Sequence, residues 1–309
     1  MKSAYLFPGQ GSQYVGMGRD LYEAFPASRR SFDAAEQVLG FDLARLCFEG
    51  PEEELRKTHN TQPAIFVHSV AVLDALGWRL GGPEARLAGH SLGEYTAYVA
   101  AGAMKFEDAL RAVRRRGELM YQAGLDRPGA MAAVLGLAPD VVERILARID
   151  GIAVPANYNS PSQLVISGEV EAIDQAIDAL QEAGAKRVIR LEVSGAFHSS
   201  LMEGAARGLA AELSAIEITA PRAEVVTNES AAPVPPAEIR DSLGRQLLAP
   251  VRWEQTVRAL IAWGAERFVE LGPGKVLTGL VRAVDKSLPA EAIGTAEQIL
   301  EASAARSEP

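Results

Sequence analysis

The stretch Arg86-Leu87-Ala88-Gly89-His90-Ser91-Leu92-Gly93-Glu94 constrains this chain more than any other. It reads as a short strand over 86–88, a Gly-x-Ser-x-Gly turn, and a helix over 92–103. A serine so placed stands on a sharp strand-to-helix bend, a nucleophile elbow. Gly89 and Gly93 remove Cβ atoms where strand and helix crowd together, and glycine permits backbone angles that other residues resist. The helix N-terminus sets free N–H groups and positive dipole beside Ser91, favourable to a developing oxyanion. The competing reading is a Gly/Ser turn that merely caps a helix. The flanking strand and helix favour the nucleophile.

An elbow needs a sheet, and the remaining pattern supplies one. Residues 4–7 form an apolar run stopped by Pro8-Gly9, a buried strand entering a loop. Helical patterns follow over 20–39, 52–57 and 62–80, then over 106–123 beyond the elbow helix. Strands alternating with helices imply a parallel α/β sheet. The pattern changes after Asp126-Arg127-Pro128-Gly129. Strand 130–137, helix 138–149, strands 152–156 and 163–167 around the turn-rich 157–162, helix 170–183 and strand 187–193 give the order β-α-β-β-α-β, a ferredoxin-like arrangement. The expected fold is therefore α/β. An α/β-hydrolase-like parallel-sheet domain covers 1–126 and 194–309, and a ferredoxin-like inserted domain occupies 127–193. The main domain resumes with helix 201–214, strand 223–227, helices 237–247 and 253–262, strand 267–270 and helix 275–284. The polar tail 302–309 is expected to fray.

Composition excludes several classes of function. The 309 residues, 48% hydrophobic and 23% charged, describe an ordinary globular protein able to bury a large core. A net charge of −9 argues against nucleic acid, because phosphate binding needs a basic footprint. The single cysteine, Cys47, excludes an intrachain disulfide framework and fits a reducing compartment. It reads as a small hydrophobe in a helix-rich segment. The apolar part of the N-terminus is too short for a secretory signal. The longest apolar run, 64–78, is interrupted by His68, Ser69 and Asp74, so no membrane span is expected. The expectation is a soluble cytoplasmic protein.

A serine nucleophile needs a base, and the chain has four histidines. His68 lies in an apolar helix pattern and reads as packed or surface. His59 precedes a helix start and reads as a loop residue. His90 adjoins Ser91, but neighbours on an elbow point in different directions. His198, in Val193-Ser194-Gly195-Ala196-Phe197-His198-Ser199-Ser200, sits in a loop beyond a strand, where catalytic groups are usually presented. It is the favoured base, the alternative being a satisfied structural histidine. No Asp or Glu occupies a matching loop between serine and histidine. Asp126 and Asp150 flank or lie inside the insert, and a carbonyl is the other way to hold the imidazole.

Two further features bear on chemistry. The loop Phe7-Pro8-Gly9-Gln10-Gly11-Ser12-Gln13 lacks the Gly-Lys-Ser/Thr ending of a Walker loop. Its N–H groups suit an oxyanion hole completed by that of Leu92, unless it is an ordinary strand-to-helix turn. The run Arg114-Arg115-Arg116 lies on a helix, so its members point in three directions and at most two face one site. A guanidinium grips a carboxylate bidentately. Arg114 and Arg115 read as a solvated face. No metal site is expected.

Together these pieces resemble the malonyl-CoA:acyl-carrier-protein transacylases, the acyltransferase family of fatty-acid and polyketide synthesis. The motifs are Phe7-Pro8-Gly9-Gln10-Gly11-Ser12-Gln13, Gly89-His90-Ser91-Leu92-Gly93-Glu94-Tyr95, Asn159-Ser160-Pro161-Ser162-Gln163, Gly195-Ala196-Phe197-His198 and Leu271-Gly272-Pro273-Gly274-Lys275-Val276-Leu277. The resemblance implies that Ser91 is the acyl nucleophile and His198 its general base. Arg116 would pair with the free carboxylate of malonate, and Gln10 and Leu92 would supply the oxyanion N–H groups. Gln246 would orient His198 through a carbonyl. Phe197 is the variant associated with malonyl over methylmalonyl. The implied reaction moves malonyl from malonyl-CoA to the phosphopantetheine thiol of acyl carrier protein by a ping-pong cycle, for fatty-acid biosynthesis. No cofactor is bound. The expected partners are acyl carrier protein and a coenzyme A thioester, and the expected state is a monomer. The alternatives are a trans-acting polyketide acyltransferase, a serine esterase or thioesterase, and a non-catalytic carrier-binding module. Tyr121, where relatives often have Gln, and Ser199-Ser200 depart from the pattern. Carrier protein is acidic, and so is this chain, so docking needs a local basic patch. The candidates are Arg111, Arg114, Arg115, Lys186, Arg187 and Arg190.

Overall fold

Every side chain of β1 (Ser3–Phe7) is buried, as a run of apolar residues without alternation demands of a strand covered on both faces. The computed structural model describes residues 1–78 and 80–307. In it β1 is the middle of a parallel sheet of order β7-β2-β1-β8-β9, with β2 (Ala85–Gly89), β7 (Glu224–Val226), β8 (Arg267–Leu271) and β9 (Ala290–Ile293). Phe7 pairs with Gly89, so the loop after β1 and the elbow after β2 emerge level and side by side. The chain order of these strands reverses between β1 and β8. In open parallel sheets that reversal opens a crevice at the carboxyl ends, where ligands bind.

Between β1 and β2 run α1 (Arg19–Ala24), α2 (Pro26–Leu39), α3 (Leu43–Glu49), α4 (Glu52–Arg56) and α5 (Thr58–Leu76). The single helix expected over 20–39 is two, because Pro26 starts a new helix and holds Phe25 extended. Helix α5 begins four residues before its expected start and ends at Leu76, ahead of Gly77 in the left-handed region. Arg79, inside the expected span, lies outside the described residues. Pro63 within α5 has no N–H to give to the carbonyl of His59, and Arg114 Nη1 takes that carbonyl instead at 2.7 Å. Arg114, expected on a solvated face, is thus a tie between α5 and the long helix α7 (Phe106–Asp126), which follows the elbow helix α6 (Gly93–Ala100). Cys47 on α3 is buried, and burial pushes its thiol up to about 12.

A second, antiparallel sheet has the order β4-β5-β3-β6. Its elements are β3 (Gly129–Leu135), α8 (Pro139–Leu146), β4 (Ala153–Ser160), β5 (Gln163–Glu169), α9 (Val170–Glu182) and β6 (Arg187–Arg190). Alternate residues of β3 and β5 pack with Val142, Ile173 and Leu180 in a core separate from that of the parallel sheet. Strand β4 runs on through the segment expected as a turn. Two register shifts let it continue, and the Tyr158 N–H donates to the Val251 carbonyl at 2.9 Å while the Val251 N–H donates to that of Ala156 at 2.8 Å. This exchange fastens the small sheet to the segment that precedes Trp253. Strand β6 stops at Arg190, which leaves Leu191 to Val193 to line a cavity.

The chain returns through a 3₁₀ turn (Ser200–Met202) into α10 (Glu203–Ser214), then a second 3₁₀ turn (Pro236–Glu238) into α11 (Ile239–Arg245). After these come α12 (Trp253–Trp263), α13 (Val276–Val284) and α14 (Ala296–Ser307). The tail expected to fray is helical through Ser307, and 308–309 lie outside the described residues. Helix α14 starts where the Asp20 carboxylate accepts the Ala296 N–H at 2.7 Å, a cap delivered from 276 residues away. Among the described residues no helix is long and apolar enough to cross a membrane.

Candidate active site

Ser91 sits on the bend with φ of 53°, and His198 opposite it has φ of 58°. Few non-glycine residues adopt the left-handed region, and such strain persists where surrounding structure over-determines it. Here Asn228, after β7, does so: its Oδ1 accepts the Ser91 N–H at 2.6 Å and its Nδ2 donates to the Gly89 carbonyl at 2.6 Å. The glycines of the bend are required by contact. A Cβ on Gly89 would lie 1.9 Å from the carbonyl carbon of Gly93, and one on Gly93 would lie 2.1 Å from the carbonyl oxygen of Phe7. The elbow therefore nests against the end of β1.

Two groups converge on the serine hydroxyl. His198 Nε2 and Arg116 Nη2 each lie 2.9 Å from Ser91 Oγ. The carbonyls of Gln246 and Ala249 each lie 3.0 Å from His198 Nδ1. Carbonyls only accept, so Nδ1 carries the proton and Nε2 offers a lone pair. Arg116 only donates, so Ser91 Oγ accepts from it and donates its own proton to His198. Burial, and then the Arg116 charge, hold the imidazole down to about 3, so it is neutral at ordinary pH. The serine has a base at hand with no carboxylate behind it.

Arg116 is 1% exposed, and burial lowers its pKa. Its partners are all neutral: Gln62 Oε1 accepts at 2.7 Å, Gln246 Oε1 at 3.1 Å, and the Tyr95 ring lies 5.9 Å away. Among the described residues no carboxylate comes within 4.0 Å of it. The N–H groups of Gln10 and Leu92 find no acceptor within the chain among the described residues. Gln10, Ser91, Leu92, Arg116, Phe197 and His198 line one cavity of about 490 Å³, into which the small sheet also projects Met131 and Val165. A hydroxyl, a neutral imidazole, unpaired N–H groups and a buried cation with no carboxylate in contact can do acyl transfer on an acid-bearing substrate.

Residues 4–302 match the acyl transferase domain family. The chain belongs to that family. The malonyl CoA-acyl carrier protein transacylase of Bacillus subtilis (strain 168) is 46% identical over 302 residues, spanning 96% of this chain and 95% of that one. Its counterpart of the same name in Escherichia coli (strain K12) is 44% identical over 293 residues, spanning 94% and 95%. Among solved structures, a malonyl-transacylase in complex with its type II PKS acyl-carrier protein superposes with a TM-score of 0.93 at 42% identity, covering 99% of this chain and 100% of that one.

Within this family member the other sequence expectations fall as follows. Gln246 reaches His198 through its main-chain carbonyl, while its side chain does separate work on Arg116. His90 hydrogen-bonds Asn159 Oδ1 at 2.9 Å, and His68 is packed and fully buried. His59 is in the first turn of α5, not a loop, with its ring edge-on to Tyr121 at 4.7 Å. Of the basic candidates, Arg111, Arg115 and Arg190 are paired with Asp108, Glu118 and Asp174. Lys186 and Arg187 are exposed and in no ion pair among the described residues. Sequence reading gave no role to Asn228, Gln62 or Glu94. Glu94 stood inside the elbow motif, but its partners lie 134 and 152 residues away.

Proposed function

We propose that this chain transfers malonyl from malonyl-CoA to the phosphopantetheine thiol of acyl carrier protein, for fatty-acid biosynthesis. The observation that carries the reading is the pair of 2.9 Å contacts at Ser91 Oγ, one to a neutral imidazole and one to a buried guanidinium lacking a carboxylate. His198 takes the Ser91 proton as Oγ attacks the thioester carbonyl, and the N–H groups of Gln10 and Leu92 receive the oxyanion. The tetrahedral intermediate collapses, coenzyme A leaves with the proton returned by His198, and malonyl remains on Ser91. The carrier thiol then attacks the ester, giving its proton to His198, and Ser91 is regenerated. Arg116 holds the malonyl carboxylate throughout. Phe197, 6% exposed on the cavity wall, fills space that a branch methyl would need. Removing one methylene's worth of fit changes selectivity by only about 1–3 kcal/mol, so this discrimination is soft.

We read 127–193 as an inserted ferredoxin-like domain, supported by its β-α-β-β-α-β order, within a main domain formed by 1–126 and 194–309. The main domain is hydrolase-like in its elbow, while its strand order is that of a doubly wound sheet. A monomer in the cytoplasm fits the lone buried thiol. A serine hydrolase would use the same serine and histidine but has no use for a buried unpaired arginine.

Incubation with malonyl-CoA alone tests the reading. A stable adduct of malonyl mass on Ser91, absent in Ser91→Ala, is expected. Rapid release of free malonate without an acceptor would point to a hydrolase instead.

A further inference from the structure

Arg116 and Glu94 are both withdrawn from solvent, at 1% and 0% exposure, and one side chain joins them. Gln246 Oε1 accepts from Arg116 Nη2 at 3.1 Å, and Gln246 Nε2 donates to Glu94 Oε2 at 2.9 Å. A guanidinium only donates and an ionised carboxylate only accepts, so these neighbours fix which way the amide points. The same Glu94 oxygen accepts the Asn228 N–H at 2.9 Å. Glu94 Oε1 is buried with no partner in the chain among the described residues. The two oxygens are therefore unlike. Oε2 keeps both donors in either protonation state, and Oε1 takes or releases a proton without breaking a bond.

A buried cation with no counter-charge is costly, and Glu94 is the carboxylate whose field acts on Arg116 in the free site. When an acyl carboxylate reaches Arg116, two anions face one cation. Two carboxylates sharing a site do not both stay ionised, and the pKa of one rises. We propose that Glu94 balances Arg116 in the empty site and takes up a proton from solvent when the acyl carboxylate binds. Loading of a carboxylate-bearing acyl group is thereby coupled to pH. A neutral acetyl group brings no second anion and leaves Glu94 as it was. The inference rests on the assignment of Arg116 to the acyl carboxylate.

The surroundings suit such a titration. The charged or titratable groups facing Glu94 are Arg116 from α7, Glu229 after β7, and Tyr95 and Tyr98 on its own helix. Glu229 is itself paired with Arg245, and Asn228 and Gln246 are neutral. Burial raises the Glu94 carboxyl to about 7, against its two donors and Arg116, which lower it. Above that pH the free site holds an ionised Glu94, and binding must draw in a proton, so loading weakens as pH rises. Below it Glu94 is already neutral and the coupling vanishes.

Glu94→Gln imitates the protonated acid, since the amide oxygen can serve both donors while the NH₂ takes the place of Oε1. The rate of Ser91 acylation by malonyl-CoA and by acetyl-CoA is followed by intact-protein mass from pH 6 to 8.5. In the native enzyme, malonyl loading is expected to fall several-fold between pH 6.5 and 8.5 relative to acetyl loading, as uptake of a proton on binding implies. In Glu94→Gln that relative fall disappears. A fall that persists in Glu94→Gln, or an equal loss of both substrates at every pH, would overturn the inference and leave Glu94 a framework residue. Failure of malonyl-CoA to load the native enzyme at any pH would overturn the functional reading as well.

Discussion

A neutral imidazole and a buried guanidinium share one hydroxyl, and their opposite chemistries divide the labour at Ser91. His198 has a lone pair and no charge, while Arg116 has a charge and no lone pair. Replacing Arg116 with Ala removes the buried cation proposed to hold the acyl carboxylate. Breaking one side of a buried ion pair costs on the order of 3–5 kcal/mol, so malonyl transfer should drop by a hundredfold or more. Acetyl transfer, measured in the same carrier-loading assay, should drop far less. Equal losses on both substrates would remove Arg116 from that role. The positions of Ser91 and His198 were readable from short patterns, a Gly-x-Ser-x-Gly turn and a histidine in a loop beyond a strand. Asn228 and Gln62 were not. Each works through a contact made only after folding, 137 residues from Ser91 and 54 from Arg116 respectively, and neither carries a local signal.

Among the helices, α5 shows how far a pattern can be trusted. Its apolar spacing announced a buried helix, but Pro63 hid the true start, since the carbonyl it frees is satisfied by Arg114 from another helix. Strand β9, Ala-Glu-Ala-Ile, is too short to show a period and is recruited by pairing with β8. Helix α14 likewise owes its first turn to a distant aspartate. The same α5 buries His68 completely, with neither ring nitrogen hydrogen-bonded among the described residues. Burial lowers its pKa from 6.5 to about 4. The folded-state pKa is below the unfolded one, so the unfolded chain binds more protons and stability falls as pH drops from 6.5 towards 4. Each unit of that window is worth about 1.4 kcal/mol. His68→Leu, of similar size and without polar atoms to strand, should raise the melting temperature and flatten its decline between pH 6.5 and 5. An unchanged acid limb in thermal melts would show that other groups dominate it.

At the scale of the whole molecule, the cavity lies between the small sheet and the loops that follow β1 and β2, and the chain carries a net charge of −9. An acidic carrier must approach against that charge, so local cations have to steer it, and steering acts on association more than on chemistry. Most candidate arginines are already spent on intramolecular pairs: those of Arg111, Arg114 and Arg115 follow from i,i+3 and i,i+4 spacing on α7, while that of Arg190 with Asp174 is set by the β6–α9 packing. Lys186 and Arg187 are exposed and unpaired among the described residues, at the start of β6. That strand leads directly into Leu191 and Val193 on the cavity wall. Four extended residues span about 13 Å, which sets these two cations at roughly that distance along the strand from the cavity wall. Reversing both charges, in Lys186→Glu with Arg187→Glu, should raise the KM for carrier protein several-fold and weaken its dependence on salt. Acylation of Ser91 by malonyl-CoA alone, a separate half-reaction, should keep its rate. An unchanged carrier KM would move the docking surface elsewhere on the rim, and a loss in both half-reactions would mean that the strand itself had been disturbed.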